Sequence, residues 1–305
     1  MAKLLALKID VDTYRGTLEG VPRLVDILRR NRAGATFLFS LGPDHTGRAI
    51  KRALRPGFMK KVSRTSVVAH YGLKTLMYGT LLPGPDIGKR CADTLRGVHD
   101  AGFETGIHCW DHVKWQDNVE QADAAWTGRQ MQLAVDRYAE VFGEPARVHG
   151  AAGWQMNAQA MRLTQRLGFS HASDTRGTHP FMPIQNGEIV LCPQLPTTLP
   201  TLDELIGIDD TTEDNVHEKL LALTAPPPAR GSHVYTLHAE LEGMKLAPAF
   251  EKLLTAWREQ GYELVSLRDL ATSLDAAKLP RHEVVRGEIA GRSGTLMLQG
   301  PEFLA

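Results

Sequence analysis

Cysteine is scarce in this 305-residue chain: there are three, Cys91, Cys109 and Cys192, far apart and odd in number. That excludes a disulfide framework and fits a reducing compartment. Net charge is also absent, because 35 basic residues face 35 acidic ones. Nothing global therefore points to nucleic acid. No apolar run approaches the ~18–20 residues of a membrane span. The start, MAKLLALKIDVDT, has an apolar run too short for a secretion signal, with two acids close behind it. The expectation is a protein on the cytoplasmic side, soluble or peripheral to the membrane.

What is present is 43% hydrophobic residues, enough for a large core. Short apolar runs alternate with helical patterns. Strands are predicted at 4–10, 35–40, 103–108, 233–238 and 262–267. Helices are predicted at 20–31, 86–102, 120–142, 158–168 and 247–261, from apolar residues recurring at helical spacing. Strand–helix alternation at this length argues for a parallel α/β architecture, barrel or open sheet. The Gly-rich stretch EVVRGEIAGRSGTLMLQG, near the end, could pair as a hairpin over the domain.

Acid is missing from one segment. Residues 45–85 hold Arg48, Lys51, Arg52, Arg55, Lys60, Lys61, Arg64 and Lys74 and no Asp or Glu, so they carry +8 while the remainder carries −8. A plain connection between a strand and a helix needs only a few residues. A basic insertion with Phe58, Tyr71 and Tyr78 reads as an element that attracts anionic lipid headgroups. Lys51, Arg52, Arg55, Lys60, Lys61 and Arg64 are its candidate contacts.

The chemistry gathers in three places. Asp10 and Asp12, in KIDVDT, are two apart and point to one side of a strand. His108 and His112, in GIHCWDH, follow the strand 103–108. His238 ends the strand HVYTLH. With twelve histidines in the chain, the H-x-x-x-H spacing alone is a weak signal. Three strand ends delivering acids and imidazoles to one rim are a stronger one, since parallel barrels do their chemistry there. Two imidazoles and a carboxylate bind a divalent ion and leave room for water and substrate. A further carboxylate can take a proton and a distant histidine can give one, which describes metal-assisted amide hydrolysis. An H-E-x-x-H metalloprotease is excluded, because Cys109 stands where its glutamate would be.

These motifs resemble the polysaccharide deacetylases, or NodB-like carbohydrate esterases. That family has an Asp-bearing first motif, an H-x-x-x-H second motif and a late L-x-H or L-H motif. The fold expected from the resemblance is α/β, a single-domain deformed (β/α) barrel over 1–275. It would carry the insertion at about 45–85, and an extension over 276–305 packed on the barrel. The resemblance implies Asp10 as catalytic base and His238 as catalytic acid. Asp12, His108 and His112 would be ligands of one divalent ion, zinc first, with manganese or cobalt as alternatives. Spacing leaves the roles of Asp10 and Asp12 exchangeable.

Further blocks, KIDVDTYRGTLEGVPRL, HCWDHVKWQ, AAGWQM, SDTRGTHPF, LPTTLPTLDELIG, YTLHAELEG and VVRGEIAGRSG, span almost the whole chain. They are similar to a narrower branch that deformylates a polyprenyl-phosphate-linked formamido sugar. That similarity implies formate and an amino-sugar lipid as products, a role in lipid A modification and polymyxin resistance, and an anionic membrane surface as partner. Another carbohydrate N-deacetylase and an inactive membrane-binding module are the alternatives. One departure stands out. The family's third motif has Arg-x-Pro, with the arginine orienting the base, whereas RVHGAAGW has His149 and Ala151 there. Arg147 and Arg176 are the candidate replacements, Arg176 preferred. The Ala152–Gly153–Trp154 turn is a candidate to present a backbone N–H to the oxyanion, so Gly153, Trp154 and Arg176 join the site.

Overall fold

A computed structural model describes residues 3–49, 72–228 and 231–304. The proposed lipid contacts Lys51, Arg52, Arg55, Lys60, Lys61 and Arg64 lie outside the described residues.

Strand β1 (Lys3–Val11) is buried from Leu5 onward on both faces, which its near-continuous apolar sequence allows. It is the hub of a parallel sheet with β2 (Thr36–Ser40), β3 (Glu104–Cys109), β4 (Val148–His149) and β5 (His171–Ala172). The second sheet contributes β6 (Met182–Gln185) and β7 (Glu188–Ile189), after which β8 (His233–His238) and β9 (Tyr262–Val265) return to the first. The order is β5-β4-β3-β2-β1-β8, with β9 also on β1. Strand β1 pairs with β8 along one side, and with β9 and then β2 along the other. The gap between β5 and β8 is filled by irregular chain. Leu195 N donates to Ala172 O at 2.7 Å, and Thr198 N donates to Val234 O at 3.0 Å. The barrel is thus closed by a segment that is no regular strand, and the expected deformed (β/α) barrel is the fold observed.

Helices on the outer face follow the apolar spacing. Leu24, Ile27 and Leu28 are buried from the helix Val21–Arg30. The helix Ala124–Phe142 is capped by Asp123, whose side chain accepts from Trp126 N, and stops at Gly143 with φ 74°. A carboxylate at the start and a left-handed glycine at the end are the expected terminators. The pattern predicted as one helix over 86–102 is two, Ile87–Arg90 and Ala92–Asp100, because Cys91 leaves helical geometry at φ −111°, ψ 14°. The last strands, β10 (Arg281–Gly287) and β11 (Leu296–Glu302), pair antiparallel and extend β6 and β7 into a four-stranded sheet. Among the described residues no helix is long and apolar enough to cross a membrane.

The closing segment also braces an indole. Trp154 Nε1 donates to Thr197 Oγ1 at 3.1 Å, and Thr197 Oγ1 pairs with Thr236 Oγ1 of β8 at 2.7 Å. Thr197→Val keeps the shape but leaves the indole N–H without its acceptor. It should lower unfolding free energy by about 1–3 kcal/mol, read from the urea midpoint; an unchanged midpoint would show that the brace contributes nothing.

Candidate metal centre and active site

Strand alternation sets Lys8 and Asp10 on one side of β1, and Asp12, one residue past its end, continues that spacing. All three are buried. The parallel register puts Asp10 opposite His238 of β8. Beyond the strand end, Glu240 pins the chain: its Oε1 accepts from Asp12 N at 3.1 Å, from Thr13 N at 2.8 Å and from Thr13 Oγ1 at 2.8 Å. Gly16 makes this possible, since a Cβ there would lie 2.0 Å from Glu240 Oε1.

His108 is the penultimate residue of β3, and His112 opens the helix His112–Asn118, so their spacing bridges strand, turn and helix. Asp111 caps that helix, accepting from Lys114 N at 3.0 Å, and also takes His45 Nδ1 at 2.6 Å. His108 Nδ1 donates to the Gly150 carbonyl at 2.6 Å. A carbonyl only accepts, so the neutral ring keeps its lone pair on Nε2. That Nε2 lies 3.2 Å from Asp12 Oδ1, and His112 Nε2 lies 3.3 Å from Asp12 Oδ2. The two rings stack with centroids 5.3 Å apart. Cys109, between them, turns to Ser40 Oγ at 3.3 Å, and burial pushes its thiol well up. It is no ligand.

The donor set fits a divalent ion. Ligand atoms of Asp12, His108 and His112 all lie within 4.8 Å of one another. One carboxylate and two imidazoles suit zinc and several neighbours in the transition series. The electrostatics agree. Burial pushes the Asp12 carboxyl up, but the imidazoles of His112, His108 and His238 outweigh it and hold the group far below the usual carboxylate range. Burial pulls His108 down, yet Asp10 and Asp12 together raise it. Buried lone pairs of both kinds thus converge where a cation would offset them.

Around this centre, four buried atoms have no hydrogen-bond partner among the described residues: Asp10 Oδ1, Asp12 Oδ1, His238 Nδ1 and Glu240 Oε2. His238 is held by its backbone, whose N–H donates to Glu242 Oε2 at 2.9 Å, while Tyr235 Oη donates to Glu242 Oε1 at 2.8 Å. Burial pushes Glu242 above the ordinary range.

Two expectations need correction. Arg176 does not reach Asp10. Its guanidinium binds Glu204 Oε1 at 2.7 Å and Leu199 O at 3.0 Å, and it lies 4.8 Å from the Trp154 ring. Arg147 is exposed. The partner of Asp10 is Lys8, whose Nζ lies 3.1 Å from Oδ2. Nor does Trp154 offer its amide to a substrate, because Trp154 N donates to Ala151 O at 3.0 Å inside the turn. Gly153 and Trp154 are both left-handed, with φ 61° and 54°. Glycine suits the left-handed position at 153, where a Cβ would also displace the Gln116 amide, 2.1 Å away. His149, at the family's arginine place, binds Asp174 Oδ1 at 2.7 Å, an oxygen that also accepts from Ala151 N at 2.8 Å.

Lys8 is a site residue that the motifs do not single out, and Glu240 is one for which they leave an orienting role and a surface role equally open. The alternation K-I-D carried the signal for Lys8; nothing in the sequence alone separated Glu240 from a surface acid.

The fold is that of the polysaccharide deacetylases. A polysaccharide deacetylase structure from Mycobacterium smegmatis superposes with a TM-score of 0.65 at 18% identity, covering 95% of this chain and 96% of that one. The chitin deacetylase of Colletotrichum lindemuthianum superposes with a TM-score of 0.54 at 17% identity, covering 88% of each chain. The chain belongs to the family of ArnD, the 4-deoxy-4-formamido-L-arabinose-phosphoundecaprenol deformylases, and is thus an amide-hydrolysing enzyme. It is 39% identical to the Shewanella sediminis member over 97% of its own length and 94% of that protein, and 32% identical to the Wigglesworthia glossinidia brevipalpis member over 93% and 98%. No family model matches the chain.

Asp12→Ala removes the carboxylate that both imidazoles face. Zinc affinity, measured by competition with a chromophoric chelator, should fall by more than the ~10–100-fold typical of losing an outer-shell partner. Cys109→Ser should leave it unchanged; a comparable loss there would make the thiol a ligand.

Proposed function

We propose that the chain hydrolyses the formamide of 4-deoxy-4-formamido-L-arabinose carried on undecaprenyl phosphate, releasing formate and the 4-amino sugar lipid. The observation that carries this is the pairing of a three-donor metal centre with an unpartnered Asp10 Oδ1 and an unpartnered His238 Nδ1, in a chain 39% identical to an ArnD deformylase. Asp12, His108 and His112 would hold a divalent ion, with zinc the first choice, which would supply polarisation of the amide carbonyl and acidification of the attacking water. Asp10 Oδ1 takes the proton of that water. His238, across the strand pair from Asp10, returns a proton to the departing nitrogen, so the amine leaves neutral. The Gly153 N–H is the candidate donor for the developing oxyanion.

The amino-sugar lipid suits decoration of lipid A, which lowers binding of cationic peptides such as polymyxin. A substrate with a polyprenyl tail requires work at a bilayer. The +8 stretch at 45–85 supports a peripheral site on the cytoplasmic leaflet, with Lys51, Arg52, Arg55, Lys60, Lys61 and Arg64 meeting anionic headgroups and the lipid phosphate. Residues 276–305 serve as an extension packed on the barrel.

The test is release of formate from the formamido-sugar lipid and of acetate from its acetyl analogue, with and without chelator. Formate release abolished by chelator is expected. One methyl is worth only ~1–3 kcal/mol of discrimination, so slow acetate release is compatible, while acetate in excess of formate would mean an N-deacetylase. Asp10→Asn should lose about 10²–10⁴-fold in kcat with metal content unchanged; full activity would remove Asp10 as base. Deleting 48–82 should weaken sedimentation with anionic liposomes, and unaltered partitioning would refute the membrane role.

A further inference from the structure

We infer that Lys8 is the positioning residue of the catalytic base. From within the same strand, it takes the part that an arginine on another motif plays elsewhere in the family. The inference rests on the amide-hydrolase reading of the site.

The geometry assigns the two oxygens of Asp10 different tasks. Oδ2 receives the Lys8 ammonium at 3.1 Å. Oδ1 is buried without a hydrogen-bond partner, on the side of His108, whose Nδ1 lies 3.7 Å away. An anchored carboxylate cannot rotate its bare oxygen away from the attacking water, and it cannot swing onto the metal to become a fourth protein ligand. Both effects preserve a base in productive geometry.

Lys8 is placed for this and for little else. It is fully buried, at 0% exposure. A lysine so buried needs compensation for lost water, and it has two sources. One is Asp10. The other is the face of Trp154, whose ring centre lies 5.0 Å from Nζ. Its slot exists because residue 150 is glycine: a Cβ there would lie 2.9 Å from Lys8 Cε and 2.3 Å from Leu38 Cδ1. The same loop that lacks the family's arginine therefore opens the space the lysine fills. Arg176 and Arg292, the other cations on Trp154 at 4.8 and 4.5 Å, are both committed to Glu204 Oε1.

The experiment uses the full chain, with Lys8→Met and Lys8→Gln beside wild type. It reads kcat and KM on the formyl and acetyl sugar lipids, together with zinc affinity. A positioning role lowers kcat by at least about tenfold in Lys8→Gln and about 10²-fold in Lys8→Met, within the range of general-base effects. KM stays within threefold, and zinc affinity stays equal or becomes tighter, because a cation beside the site has gone. Lys8→Arg should recover most of kcat. If Lys8→Met fails to fold, Lys8→Gln decides the matter, since it keeps a polar group in the slot while its shorter, uncharged side chain takes the ammonium away from Oδ2. A folded, zinc-loaded uncharged variant with kcat within threefold of wild type overturns the inference. So does parallel loss of zinc and turnover, which would make Lys8 merely structural. Wild type that binds zinc yet releases neither acid would instead refute the amide-hydrolase reading. Weaker zinc binding by Lys8→Gln would then still count against the lysine's role.

Discussion

Two imidazole nitrogens aimed at one buried carboxylate set the terms for the rest of this molecule. Asp12 can hold that position only if its backbone cannot move, and Glu240 fixes it by accepting from three donors at once. His108 can offer Nε2 only if Nδ1 is occupied, and the Gly150 carbonyl occupies it. His112 can arrive only if a helix starts four residues on, and Asp111 starts it. Each support comes from a different stretch of chain, and the parallel barrel brings them together at the strand ends. The arrangement is thus a property of the topology more than of any one motif.

Much of this was legible in the sequence because it follows from strand periodicity. Asp10 and Asp12 share a side because side chains alternate, and the ends of β1, β3 and β8 meet because parallel strands end on one rim. The boundaries of β8 match the apolar run HVYTLH. What was hidden falls into two kinds. Irregular chain carries no period, so the segment near 193–198 that closes the barrel gave no signal. Partnerships between distant residues were also invisible. Arg176 looked free to serve Asp10, but Glu204, twenty-eight positions away, holds it. The helix break at Cys91 escaped notice because Ile87, Cys91, Leu95 and Val98 keep helical spacing across it; all four are buried.

Trp154 links β1 to the C-terminal strands. It is a bulky residue at φ 54°, a conformation that costs of order 1–3 kcal/mol and persists only where the surroundings over-determine it. They do so here, through Thr197 on the indole nitrogen and three cations on the ring. One of those cations, Arg292, comes from the loop between β10 and β11. The hairpin is tied to the same turn again, since Gln155 Nε2 donates to Thr295 O of that loop at 2.5 Å and Arg286 of β10 donates to Gln155 Oε1 at 3.1 Å. The terminal hairpin therefore helps define the position of Trp154, and through it the wall against which Lys8 lies.

Charge balance also favours a cation at this site. Asp10, Asp12 and Glu240 are buried in one region. Lys8 offsets Asp10 through direct contact. Asp12 and Glu240 have no ammonium or guanidinium of their own among the described ion pairs, and burial together with the Asp12 charge pushes Glu240 up to about 8. Two imidazoles are weak compensation, since each is charged only when protonated. Like charges in low dielectric repel strongly, and an interior cation relieves that repulsion far better than distant surface charges can. A divalent ion bound between Asp12 and the two imidazoles would neutralise Asp12 and draw Glu240 back toward ionisation. The three hydrogen bonds that Glu240 receives would then strengthen, as bonds to a charged acceptor do. Metal binding and the rigidity of the Asp12 loop would thereby support each other.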